Sequence, residues 1–379
     1  MNIGIDARII ERRITGIGRS LLILLDELPL LDKTNNYFLF SYGKLNINDT
    51  FFKNITTIKS FIPQKLFSPI WSNLILPIYL KRNKIDIHFS INQVVPLIKV
   101  KDCKYISVVH DVIYKADSSF LPIVYRRYLQ LFAYFSVRSS DLIITVSEYS
   151  KKDILKNYKI EEDKIRVILQ NAKKEFQPLN LSEEEIKKIK NSFRLPEIIV
   201  LYVGVIENRK NIYGILKVAD ILKDRYTNLA FLLIGKKGYG SNRIFSEIKK
   251  RQNVIYLNNI DDILLKKIYN LANVFLFPSY YEGFGYPPLE AMQSGLPVLA
   301  SNNTSLTEII DTAGLLHDPD DYVAFANDII KLLCDRTFYN LMKSKGIERA
   351  KKFEKNNWSR QVVQIFNSFK ELVPKKWNI

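Results

Sequence analysis

Two glutamates eight positions apart frame the segment Glu282-Gly283-Phe284-Gly285-Tyr286-Pro287-Pro288-Leu289-Glu290. Ionised carboxylates accept paired hydrogen bonds from vicinal hydroxyls, the groups that a sugar and a ribose offer. The glycines let a backbone pass close to a ligand, and the two prolines suit the first turn of a helix. Glu282 is therefore expected on a loop after a strand ending at Pro278, with Glu290 in the first helical turn. Both are expected to face the strand end. Upstream, a second strand closes at Gly204 and is followed by Glu207-Asn208-Arg209-Lys210-Asn211. Helix starts favour acidic side chains, so Arg209 and Lys210 at a helix start oppose the local field, and a bound anion resolves the conflict. Thr15-Gly16-Ile17-Gly18-Arg19 follows the first strand on a loop opening a helix, where backbone amides approach phosphate groups. A dinucleotide fingerprint needs a third glycine where Leu21 stands, which disfavours NAD and FAD. His110 closes a strand, where it serves either a site or the packing.

These groups need a frame, and the chain supplies one. Short β-branched runs alternate with helical patterns, the mark of βα units on a parallel sheet. Strands are expected at Asn2–Asp6, Tyr37–Tyr42, Ile85–Ser90, Lys104–His110, Leu142–Val146 and Arg166–Leu169. Helices are expected at Gly18–Leu30, Phe120–Ser139 and Ser147–Tyr158; in the second of these, Arg126, Gln130 and Arg138 mark one polar stripe on an otherwise apolar cylinder. Ser182 and Glu185 form a capping box after a Pro-bearing break. A fresh series then runs through Ile198–Gly204, Ala230–Gly235, Val254–Leu257, Val274–Pro278, Pro297–Ala300 and Leu315–His317. The expected class is α/β, with two Rossmann-like domains whose parallel sheets face each other across a cleft. The domains are placed at 1–178 and 179–355, with a terminal helix in 356–379 packing back on the first.

Composition narrows the function classes. The 379 residues hold 22 Phe and 21 Tyr with 47% hydrophobic residues, which excludes general disorder. Two cysteines, Cys103 and Cys334, and three histidines provide neither a disulfide framework nor a metal-ligand spacing. No metal and no cofactor are expected. Asp318, Asp320 and Asp321 are read as capping the helix from Tyr322, not as a metal cluster. The net charge is +17, which points to a polyanion: nucleic acid, an anionic lipid surface or a phosphorylated substrate. Residues 1–180 carry 27 Lys and Arg against 17 Asp and Glu. No groove-reading motif or basic stacking platform accompanies that charge, so a nucleic-acid partner is the weaker alternative. The start Met-Asn-Ile-Gly-Ile-Asp lacks a basic leader, and the apolar stretch Leu66–Leu80 is too short to span a bilayer. A cytoplasmic location is expected, with peripheral contact to an anionic membrane.

With these residues in hand, the chain resembles the retaining, nucleotide-sugar-dependent glycosyltransferases of family four, which have the two-domain GT-B fold. The likeness rests on Asp6-Ala7-Arg8 with Thr15 to Arg19, His110-Asp111, Thr145-Val146-Ser147-Glu148-Tyr149-Ser150, Glu207 to Asn211, and Glu282 to Glu290. The resemblance implies that Arg209 and Lys210 hold the donor diphosphate with help from Gly16 and Gly18. It implies Glu290 on the ribose, Glu282 with Gly283, Phe284 and Gly285 at the transferred sugar, and His110 beside the reacting centre. It further implies a hexose donor, GDP-mannose before UDP- or dTDP-sugars, and a saccharide or lipid-linked acceptor in surface polysaccharide synthesis. Val205 stands where many relatives carry arginine, so Arg209 is expected to take more of that role. Gln293-Ser294 and Asn171-Ala172 depart from the commoner pairs without removing a charged contact.

Overall fold

In the computed structural model the chain divides into two compact units, Met1–Lys115 with Ile123–Gln170 and Asn357–Ile379, and Ala116–Pro122 with Asn171–Asn356. The structure describes residues 1–11, 16–43, 45, 55–59, 70–116, 120–171, 175–354 and 358–371. Thr15, Ala172 and residues 66–69 lie outside them. The division after Gln170 falls ahead of the expected 178, and local contacts explain it. Phe176 lies 5.4 Å from the Tyr269 ring, and the Leu179 amide donates to Asn270 Oδ1 at 2.7 Å, so this stretch packs within the second unit.

The first unit is built on a seven-stranded parallel sheet: β1 Asn2–Asp6, β2 Asn36–Ser41, β3 Ile55–Lys59, β4 Ile87–Ser90, β5 Lys104–Val109, β6 Leu142–Thr145 and β7 Ile165–Val167. Their spatial order is β3-β2-β1-β4-β5-β6-β7, which reverses between β1 and β4. Strand β3 is one edge; its Ile-Thr-Thr-Ile-Lys sequence has too little apolar content to stand out from the sequence alone. Helix α1, Gly16–Leu31, buries Leu21, Leu24, Leu25 and Leu28 against this sheet. The terminal helix Trp358–Ser368 adds Trp358, Val362 and Phe366 to the same core, with Phe366 5.2 Å from the Phe89 ring. Each such large side chain taken out of water contributes roughly 1.5–3 kcal/mol.

Helix α2, Leu76–Arg82, follows a π-turn at Trp71–Ile75; among the described residues of this region Ile70, Leu74 and Ile78 face outward. Helix α3, Ile123–Ser139, keeps only Arg138 of the expected polar stripe exposed. Arg126 and Gln130 are half-buried, Gln130 donating to the Tyr114 carbonyl at 3.0 Å, whereas Ile123, Val124, Tyr125 and Leu131 are at least half exposed. Gln130 turns inward to reach the Tyr114 carbonyl, a partner that lies outside the helix. Among the described residues, no helix is long and apolar enough to cross a membrane.

The second unit carries six parallel strands: β8 Ile198–Val203, β9 Leu229–Ile234, β10 Val254–Leu257, β11 Val274–Phe277, β12 Val298–Ser301 and β13 Leu315–His317. They lie in the order β10-β9-β8-β11-β12-β13, reversing between β8 and β11. Such a reversal leaves a crevice at the carboxyl ends of the strands, where α/β sheets bind ligands. Strands β8, β9 and β11 are buried on both faces, as a sheet covered by helices on each side requires. The capping box forms as read: Ser182 accepts from the Glu185 amide, and Glu185 accepts from the Ser182 amide. Asp321 accepts from the Ala324 amide, so the acidic run before Tyr322 does cap a helix.

Candidate active site

Unit two gathers its chemistry where β8 and β11 end. Beyond β8, Gly204 and Gly235 approach so closely that a Cβ on Gly235 would lie 1.7 Å from the Gly204 carbonyl oxygen. Only glycine fits there, and the close approach fixes the path of the chain into Glu207. Arg209 and Lys210 occupy a 3₁₀ turn, Asn208–Lys210, rather than the first helical turn expected. Asn211 then adopts a left-handed conformation, φ 51°, and caps the helix Ile212–Leu222 by accepting from the Gly214 amide at 3.0 Å. Its Nδ2 donates to the Pro319 carbonyl at 2.7 Å. From the β11 side, the Tyr280 amide and Ser279 Oγ both donate to the Arg209 carbonyl, at 2.9 and 3.2 Å. The cationic turn is thus held on both flanks.

The side chains form a closed ionic cluster. Arg209 Nε and Nη2 donate to Glu207 Oε1 at 3.1 and 2.7 Å. Arg209 Nη1 donates to the Tyr281 carbonyl at 2.8 Å and Glu282 Oε2 at 3.3 Å. Lys210 Nζ donates to Glu282 Oε1 and lies 5.1 Å from the centre of the Phe277 ring. Lys210 and Glu282 are 8% and 7% exposed. Burial would push the Glu282 carboxyl up, but Lys210 and Arg209 outweigh it and hold the group below the usual range. Burial, reinforced by the Arg209 charge, pulls the Lys210 ammonium below its ordinary value. Two cations face two carboxylates, so the cluster is balanced.

The segment after Glu282 is itself buried. Ser305 Oγ donates to the Glu282 and Phe284 carbonyls at 2.9 and 2.8 Å, and Phe284 packs edge-on to Tyr286 and Phe353. Gly285 takes φ 116°, a region that other residues rarely enter. Gly283 and Gly285 both lie buried in this turn. The following helix spans Tyr286–Gln293, which puts Glu290 in the second turn, not the first. Glu290 is 3% exposed and accepts from Tyr269 Oη at 3.0 Å. Tyr269 is wedged against Phe176 and Phe275. The sequence gives no sign of this partner, because Tyr269 sits on a different helix, Asp262–Leu271, twenty-one positions upstream.

Unit one presents a separate set. Gly16 and Gly18 fall inside the first turn of α1 instead of on a preceding loop. A helix start leaves its first amides without intrahelical acceptors, and Gly16 and Gly18 lie in that first turn. His110, after β5, has both ring nitrogens engaged: Nε2 meets the Ile91 carbonyl at 3.1 Å and Nδ1 meets Gln170 Nε2 at 3.4 Å. A carbonyl must receive a proton and an amide nitrogen must give one, which makes the imidazole the neutral Nε2–H tautomer. Burial pushes its pKa down to about 4. The motif Thr145 to Ser150 supports this residue. Thr145 Oγ1 donates to the Val109 carbonyl at 2.8 Å, Ser147 caps the helix Glu148–Tyr158, and Ser150 Oγ donates to the His110 carbonyl at 3.0 Å. Asp6 and Arg8 pair at the end of β1, with the guanidinium 3.9 Å from the Trp71 ring and bonded to Tyr42 and Ser72. Among the described residues no three His, Cys, Asp or Glu side chains come together as a metal ion would require.

Residues 16–169 match the family described as Glycosyltransferase Family 4, and residues 183–353 match Glycosyl transferases group 1. O-antigen chain mannosyltransferase B of Escherichia coli is 32% identical over 251 residues, a stretch spanning 65% of this chain and 65% of that protein. Among solved structures, sucrose-phosphate synthase from Thermosynechococcus elongatus superposes with a TM-score of 0.74 at 22% identity, covering 98% of this chain and 100% of the other. Anabaena HepE in complex with UDP-glucose gives 0.74 at 15% identity, covering 97% and 99%. At such identities the structural matches speak to the fold, which is that of the GT-B glycosyltransferases.

Proposed function

We propose, from the premise that this chain belongs to the glycosyltransferases with a family 4 domain followed by a group 1 domain, that it moves a hexose from a nucleoside-diphosphate sugar to a saccharide or lipid-linked saccharide. The observation that carries the reading is the Arg209–Lys210 turn at the carboxyl ends of β8 and β11, where the sheet order reverses. As the bond between C1 and the β-phosphate oxygen breaks, negative charge collects on the diphosphate. Cations held in position by the fold stabilise that charge, so the reaction is proposed to need no divalent ion. Arg209 and Lys210 contact the diphosphate, with Glu282 and the backbone of Gly283, Phe284 and Gly285 beside the transferred sugar. Glu290 accepts from the ribose hydroxyls. In the first unit, the amides of Gly16 and Gly18 offer an anion contact.

The transfer is proposed to retain configuration. The acceptor oxygen bonds to C1 on the face that the diphosphate leaves, and its proton passes to the departing phosphate oxygen. His110, neutral and bonded through both nitrogens, serves as a fixed wall and not as a base. The mannosyl activity in the name of the E. coli relative supports mannose, and hence GDP-mannose, as the first donor to test, with UDP- and dTDP-sugars as alternatives. Peripheral contact with an anionic membrane is supported by the outward Ile123, Val124, Tyr125 and Leu131 of α3 beside the exposed Arg127; no nucleic-acid partner is proposed. The test is release of nucleoside diphosphate from GDP-mannose, UDP-glucose and dTDP-glucose. Release from none of them, with acceptor extract present, would overturn the reading.

A further inference from the structure

Glu207 is left without a role by that assignment, yet it holds one edge of the proposed phosphate contact. Its Oε1 receives both Nε and Nη2 of Arg209, at 3.1 and 2.7 Å, while the third nitrogen is taken by Tyr281 and Glu282. All three guanidinium nitrogens thus carry bonds within the protein, and the planar edge that best fits a phosphate is the one that Glu207 covers. Glu207 ends the chain's extended run at φ −153°, ψ 163°, before the 3₁₀ turn, and its side chain makes no capping bond there. The carboxylate can leave Arg209 without undoing the turn, which is secured by Ser279, Tyr280 and Asn211. Gly238 leaves room for the side chain in its Arg209-bound position: a Cβ there would come within 2.9 Å of Glu207 Cβ and 3.0 Å of Oε2. Glu282 differs in being tied to both cations and 7% exposed.

We infer that Glu207 is a displaceable counter-ion that competes with the diphosphate for Arg209 and returns to it as the nucleoside diphosphate leaves. The inference rests on the diphosphate reading of Arg209 given above. With Glu207 in place, the four-residue cluster carries no net charge; without it, the cluster is a cation. The residue therefore weakens product binding and speeds release, a positioning role exerted through Arg209. Removing an ionic competitor from a phosphate contact tightens binding by about tenfold, the low end for a hydrogen bond to a charged group.

The experiment is calorimetric titration of wild type, Glu207→Gln and Glu207→Ala with GDP, UDP, inorganic pyrophosphate and the nucleosides guanosine and uridine. Both variants should bind the better diphosphate and pyrophosphate about tenfold more tightly, bind nucleosides as wild type does, and show stronger product inhibition with a lower kcat. Glu207→Asp should restore weaker binding. A merely structural glutamate would give the opposite sign, weaker binding of every ligand. If wild type binds a diphosphate and the two variants bind it no more tightly, the counter-ion role is wrong while the site assignment stands. If neither wild type nor the variants bind any diphosphate or pyrophosphate, the site assignment and the counter-ion role fall together.

Discussion

Replacing Lys210 with methionine should lower stability and turnover by two routes that a second substitution separates. The ammonium is buried against Glu282, 8% and 7% exposed. Removing one partner of a buried pair costs about 3–5 kcal/mol, because the other charge is stranded. Glu282 keeps its bond to Arg209 at 3.3 Å, so the lower end, about 3 kcal/mol, is expected. For a unit of this size that lowers the thermal midpoint by roughly 6–12 °C. Turnover should fall by about 100- to 1,000-fold, as when a single electrostatic donor to a developing charge is removed. The paired change Lys210→Met with Glu282→Gln removes both charges; it should recover most of the lost midpoint and none of the turnover. Scanning calorimetry and initial rates of diphosphate release decide the matter. An unchanged midpoint in Lys210→Met would deny the buried pair, and wild-type turnover in it would deny the clamp.

Four further outcomes are expected. Glu290→Gln should weaken nucleoside diphosphate binding about 10- to 150-fold, the value of a charged hydrogen bond, and unchanged binding by calorimetry would remove Glu290 from the site. Tyr269→Phe deletes the 3.0 Å bond to Glu290 and should cost no more than about tenfold in the same titration; an effect larger than that of Glu290→Gln would contradict its supporting role. Burial pushes His88 and His110 from 6.5 down to about 4. The unfolded chain therefore binds more protons between those values, and stability that is full above pH 6.5 should fall by up to about 1.4 kcal/mol per pH unit for each histidine as pH drops towards 4. Urea unfolding at pH 7, 6 and 5 measures this, and His88→Gln should remove about half of the slope. Finally, sedimentation with anionic vesicles should occur at low salt and fade at high salt, as attraction of ~1 kcal/mol per nearby basic residue implies; equal recovery with neutral vesicles would count against membrane contact.

The repeating strand and helix pattern was legible because buried parallel strands read as unbroken apolar runs. Ile198–Val203 and Leu229–Ile234 are such runs. Capping chemistry was legible because it is local, as Ser182 and Asp321 show. Edge strand β3 was not, since a half-solvated edge needs no continuous apolar sequence. The orientation of α3 was also hidden: its sequence holds the polar stripe, but the Tyr114 carbonyl that draws Gln130 inward belongs to another segment. At the site, spacing marked Arg209, Lys210, Glu282 and Glu290. It could not show that Glu282 binds both cations, that Tyr269 holds Glu290, or that Glu207 covers Arg209, because each pairing joins residues whose proximity is created by the fold or by a tight turn.

The mechanism proposed above splits a nucleoside-diphosphate sugar at the Arg209–Lys210 turn, with these cations supplying the charge stabilisation. The most direct measurement is the initial rate of GDP release from GDP-mannose, with acceptor extract and excess EDTA, for wild type and Arg209→Lys. A lysine keeps the charge but loses the planar fork. On that mechanism wild type keeps its full rate in EDTA and Arg209→Lys is impaired. Loss of the wild-type rate in EDTA, or an Arg209→Lys rate equal to wild type, would contradict it.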